Sequence, residues 1–138
     1  MKYITSELDD LTVIYPTDCG NAPKKVVLKD FHIAVHQNDE AFVLNNLTED
    51  STWEVVGRIK AIGGEEIVGV LQQLYPSSTK ILRITHIITH GKTTAIHGDV
   101  TLNNDDSYAF CHVHIFNNAS KTAKIKETTS YIIQTKSI

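Results

Sequence analysis

The sequence predicts a single α+β domain in which helices come first and a curved antiparallel sheet follows. Three observations carry that prediction. Apolar residues recur at helical spacing in the first half, the second half is built from long runs at strand period, and turn sequences of hairpin length divide those runs.

Residues 1–20 read as a lead-in, with a short strand at 11–15 that Pro16 interrupts, and residues 21–138 as the domain proper. Asn21 is suited to cap a helix, and Pro23 falls in its first turn, where a missing N–H costs nothing. Val27, Phe31, Ala34 and Val35 then follow at i, i+4, i+7 and i+8, which predicts a helix to about His36 with Lys25, Lys29 and His32 on the wetter side. Asp39 is placed to cap a short second helix through Phe42, Val43 and Leu47. Residues 51–57 are rich in β-formers and end on Gly57, a strand. After Gly63-Gly64, the positions Ile67, Val70, Leu71 and Leu74 predict a third helix, stopped by Pro76.

Four strands follow, at about 79–90, 93–102, 107–117 and 123–134. Gly91-Lys92 and the Asn- and Asp-rich stretches 103–106 and 117–120 supply the turns, so the strands form an antiparallel meander. The third of them decides how the sheet is covered. Ala109, Cys111, Val113 and Ile115 form one face, and Tyr108, Phe110, His112, His114 and Phe116 the other. Neither face is polar enough to stand in water, and a strand buried on both sides needs two covers. Helices supply one, and a second copy is the economical source of the other, which predicts a homodimer packed through the sheet.

Composition excludes several partners. The chain has 138 residues, 41% hydrophobic and 21% charged, with a formal charge of −3. That balance, with lysines and arginines scattered rather than clustered, argues against nucleic acid and against a membrane surface. No apolar run approaches the roughly 20 residues of a membrane span. The first residues lack the apolar core of a signal peptide, and Cys19 and Cys111 form no disulfide framework, so a cytoplasmic location is expected. No metal and no cofactor are predicted: His112-Val113-His114 puts two imidazoles on one strand face, and His86 and His90 are a similar pair, but two imidazoles alone do not specify a tetrahedral site.

Residues 31–39, 47–57 and 108–116, with Lys124-Ile125-Lys126 and Ser130-Tyr131-Ile132, resemble segments of the cone-shaped superfamily named for nuclear transport factor 2, in its SnoaL-like and ketosteroid isomerase-like branch. The likeness covers roughly residues 21–134. It implies that three helices wrap a curved sheet around an apolar pocket for a small organic molecule. The pocket it implies is walled by Phe31, Val35, Trp53 or Glu54, Leu71, Ile96, Val100, Phe110, His112, Thr128 and Ile132.

In the isomerase branch a carboxylate base precedes the glycine that ends the first strand by three residues, a position held here by Glu54. His112 stands where that branch has a protonated Asp, and Phe31 where it has a Tyr hydroxyl. With one donor exchanged and the other lost, steroid isomerisation is not expected, because the enolate would lack its stabilising hydrogen bonds. Glu54 and His112 facing each other across an apolar cavity would suit proton transfer beside a carbonyl. Alternation sets Trp53 and Val55 opposite Glu54 and Val56, and the sequence leaves open which pair faces inward. Three functions stay in play: a small-molecule-binding protein, an isomerase, cyclase or hydratase acting through Glu54 and His112, and a dimeric interaction module.

Overall fold

The computed structural model describes residues 2–18 and 22–137, and there the helix-then-strand order of the sequence becomes an eight-stranded sheet with three helices laid in its concave side. Asn21, the expected helix cap, and Cys19 lie outside the described residues. The chain opens with a hairpin, β1 (Tyr3–Leu8) and β2 (Leu11–Pro16), turning at Asp9 with φ 55°. This is where the lead-in expectation is corrected: Leu11 and Val13 are buried, and β2 pairs in parallel with a strand nearly 70 residues later, so these residues belong to the sheet.

Helix α1 (Pro23–His36) starts on Pro23 and buries Lys24, Leu28, Phe31, His32, Ala34 and Val35. The buried stripe runs through Leu28 rather than Val27, which rotates the helix enough to turn His32 into the core instead of leaving it on the wet side. Helix α2 (Glu40–Asn45) is capped as expected, Asp39 accepting a hydrogen bond from the Phe42 N–H at 3.2 Å, and ends two residues before Leu47. Leu47 instead begins β3 (Leu47–Val55), which turns back through Gly57 (φ 78°) into a short strand, β4 (Ile59–Ile62). Helix α3 (Gly64–Gln72) follows and buries Ile67, Val68 and Leu71.

The meander is β5 (Thr79–His90), β6 (Thr93–Leu102), β7 (Ser107–Phe116) and β8 (Ile125–Lys136), each antiparallel to the next. It forms the middle of the sheet, whose order is β1-β2-β5-β6-β7-β8-β3-β4. The joints β2/β5 and β3/β8 are parallel, so the sheet is antiparallel everywhere but at those two places. Register shifts within β5/β6 and β7/β8 bend the strands. One of them, between Ile84 and His86, lies against Gly98, where a Cβ would collide with the Arg83 carbonyl. Glycine is required there for the two backbones to approach.

On the inner face of the sheet Phe110, His112, His114 and Phe116 are buried beneath the helices, while Ala109, Cys111, Val113 and Ile115 on the outer face are half-buried. Beside them Tyr131 and Ile133 are 48% and 66% exposed, an apolar strip facing outward.

Candidate functional site

Strand alternation and one helix stripe together bring four histidines into the interior. His112 and His114 project inward from β7, and His32 and His36 stand one turn apart on α1. The His32 ring stacks on His112 at 4.6 Å and lies 5.1 Å from His114, with Phe31, Trp53 and Phe110 around them at 5.0–6.4 Å. The middle of the cone is thus filled by aromatic rings.

Five ring nitrogens of these histidines have a specific partner. Nε2 of His32 lies 2.8 Å from Nε2 of His114, a pair that shares one proton. Nδ1 of His114 meets Thr128 Oγ1 at 2.7 Å. Nδ1 of His112 meets Ser130 Oγ at 2.6 Å, and the same oxygen accepts the Trp53 indole N–H at 2.8 Å. Trp53 can only donate, so the assignment that satisfies all three groups sends the Ser130 hydroxyl proton to His112 Nδ1 and leaves the proton of His112 on Nε2. Nδ1 of His36 meets Thr79 Oγ1 at 2.7 Å.

Burial holds all four imidazoles neutral at pH 7. It lowers His36 to about 4 and His114 to about 3. His32 and His112 are also lowered well below the ordinary range, by burial first and then by the neighbouring histidines. Such groups make good hydrogen-bond donors and acceptors and poor proton carriers near neutrality.

The interior has direction. At one end of α1, Lys24 donates to the Ser120 carbonyl at 2.7 Å and lies over the Phe116 ring. At the other end, His36 stacks on Tyr75, and Tyr75 meets Tyr108 edge-on at 5.1 Å. That second end opens into a cleft of about 260 Å³ between α1, α3 and the start of β5, whose walls include Val35, His36, Leu71, Leu74, Tyr75 and Thr79. Among the described residues no Asp, Glu, Lys or Arg lines it, and Asn38, Gln72, Ser77 and Ser78 also belong to its wall. A neighbouring depression of about 240 Å³ lies across the His36–Thr79 hydrogen bond and includes Asp9 and Asp10. The tighter groove between the three helices holds about 10 Å³, too little for an ordered ligand.

Phe31, Trp53, Ile96, Val100, Phe110, His112 and Thr128, all expected in the pocket wall, are gathered in this one buried interior, with Ile132 half-buried at its edge. Val35 and Leu71 reach the cleft. Trp53 is the inward residue of its strand, and Glu54 is exposed, paired across the sheet with Lys60 and Thr129. Glu54 and His112 therefore stand on opposite sides of β3 and do not face each other, as the alternation of a strand with Trp53 inward requires. The sequence marks His36 by its spacing of four from His32, near a helix C-terminus, but singles out neither Thr79 nor Tyr75, the latter in a loop without periodicity.

Among the described residues no three His, Cys, Asp or Glu side chains are arranged to hold a metal ion. His86 does not pair with His90 but with His97 across β5 and β6, on the exposed face, at 2.7 Å. Among the described residues no helix is long and apolar enough to cross a membrane.

No protein-family model matches the sequence, and no curated protein matches it. Solved structures do match by shape. A nuclear transport factor 2-like protein of unknown function from Burkholderia xenovorans superposes with a TM-score of 0.68 at 12% identity, over 87% of this chain and 90% of that one. A protein from Kribbella flavida named for ketosteroid isomerase gives 0.67 at 14% identity, over 84% and 82% of the two chains. One from Shewanella denitrificans named for SnoaL-like polyketide cyclases gives 0.63 at 14%, over 78% and 88%. At such identities the likeness establishes the fold: this chain has the nuclear transport factor 2-like fold expected from its helix and strand order.

Proposed function

We propose that this protein binds a small, uncharged organic molecule at the open end of its cone, in the cleft beside His36 and Thr79. The observation that carries the reading is the absence of charge: among the described residues no charged side chain lines the cleft of about 260 Å³, and the His36 imidazole in its wall is held neutral by burial. The cleft joins apolar side chains, Val35, Leu71 and Leu74, to polar ones, Asn38, Gln72, Ser77, Ser78 and Thr79, and convergent polar groups fix the orientation of a small molecule in a concave site. Structural neighbours named for isomerase and cyclase chemistry are in keeping with a small organic ligand.

Binding is favoured over acid–base turnover through Glu54 and His112. Glu54 is exposed, so the interior would lack the carboxylate base that the isomerase-like alternative needs. A homodimer through the outer sheet face accompanies the reading, because Tyr131 and Ile133 leave an apolar strip there that a second copy would cover.

Thermal unfolding with 2-naphthol and with 2-naphthalenesulfonate tests the proposal. The uncharged compound is expected to raise the melting temperature by mass action on the native state, and the anion is not. Val35→Trp or Leu71→Trp, which fill the cleft, should abolish the rise. Equal rises with both compounds, or a rise that survives both variants, would overturn it.

A further inference from the structure

The Tyr75 hydroxyl is buried and has no hydrogen-bond partner, although its ring lines the cleft and packs between His36 and Tyr108. An orphaned buried hydroxyl is expensive, and native proteins keep few of them. Arg58, the nearest cation to act on Tyr75, spends both its terminal nitrogens on the Leu74 carbonyl at 3.2 Å and leaves the phenol unserved. Thr79 Oγ1, on the same cleft, is bonded to His36 Nδ1. Tyr75 itself sits in the irregular stretch between α3 and β5, where a turn of the side chain disturbs no regular hydrogen-bond ladder.

We infer that Tyr75 selects the ligand: its hydroxyl donates to an acceptor oxygen, a carbonyl or ether, on an uncharged ring compound that seats against His36 in the cleft. This rests on the binding reading above and narrows it to a chemical class. The wall combines Val35, Leu71 and Leu74 with the mutually stacked rings of His36 and Tyr75, and an uncharged ring compound has the apolar faces to lie against them. The acceptor is called for by the phenol, which holds its proton and so has one hydrogen bond to give. Reaching it requires the ligand to displace the ring from its contact with Tyr108, so the free protein carries the cost of the orphan and the complex relieves it.

The experiment compares 1-indanone with indane, the same bicyclic skeleton with and without a carbonyl, by calorimetric titration of the full chain. The wild type is expected to bind the ketone about tenfold more tightly, the effect of one hydrogen bond that satisfies a buried donor. Tyr75→Phe should bind both alike, and without ligand should melt at the same temperature or roughly 2–5 °C higher, because it deletes an unsatisfied group. A purely structural tyrosine would lower the melting temperature on substitution and leave the ketone preference intact. Equal binding of the two compounds by the wild type, or a preference that persists in Tyr75→Phe, overturns the assignment and leaves the binding reading standing. Failure of the wild type to bind either compound overturns both.

Discussion

Acid should begin to destabilise this protein above the pH at which its carboxylates titrate, because of what the interior does to imidazole. A histidine whose folded pKa is depressed binds its proton in the unfolded chain first, so stability is fully present above the unfolded pKa of about 6.5 and falls as pH drops toward the folded value. His36 at about 4 and His114 at about 3 are the two for which the loss can be worked out. Going from pH 7.5 to 5 costs about 2 kcal/mol for each, and by pH 4 about 3 kcal/mol for each. His32 and His112, also lowered by burial, add loss of the same sign. A domain of this size has about 5–15 kcal/mol to lose, so the acid transition is expected between about pH 5.5 and 4. The assay is urea unfolding at pH 7.5, 6 and 5, followed by the fluorescence of Trp53, the single tryptophan and a fully buried one. His36→Gln, which keeps a side-chain amide near Thr79 but cannot titrate, should flatten the slope between pH 6 and 5 by about one proton, or about 1.4 kcal/mol per pH unit. Equal unfolding free energies at pH 7.5 and 5 would refute the burial argument outright.

Other substitutions probe single contacts. Gly98→Ala should cost about 3 kcal/mol or more, or prevent folding, since its Cβ meets the Arg83 backbone. Gly69→Ala, in α3 with open space around it, should stabilise by about 0.5–1 kcal/mol; chemical denaturation of the pair measures both. Trp53→Phe leaves Ser130 without its indole donor and should lose about 1–3 kcal/mol, while Glu54→Gln on the exposed side should move stability by less than about 0.5 kcal/mol. The double change Tyr131→Glu and Ile133→Glu should convert a dimer to a monomer in sedimentation velocity, and a wild type that sediments as a monomer would remove the proposed partner copy.

How far the sequence could be read follows the range of the interactions involved. The meander was legible because its turns are local: Gly91 takes φ 59° and Asp105 φ 71°, and the strands between them match the expected ranges within about two residues. What failed to show was non-local or marginal. β2 earns its place only by pairing with β5, and β4 has four residues after a glycine turn, too few for a period. The helix phase of α1 turned on choosing Val27 or Leu28 as the inward residue, and that single step decided whether His32 was wet or buried. Yet the burial of His32 is what makes the interior intelligible. One imidazole more on the inner face of β7 would be an isolated polar group in an apolar core, costly and partnerless. With His32 opposite, His114 gains a partner for Nε2 while Thr128 holds Nδ1, and Ser130 ties His112 to Trp53. A network satisfied at these nitrogens has little left to offer a ligand without breaking a bond it already has. The proposed site lies instead at the rim, where His36 and Tyr75 stand in an uncharged cleft and the Tyr75 hydroxyl has no partner, rather than among the histidines deeper in.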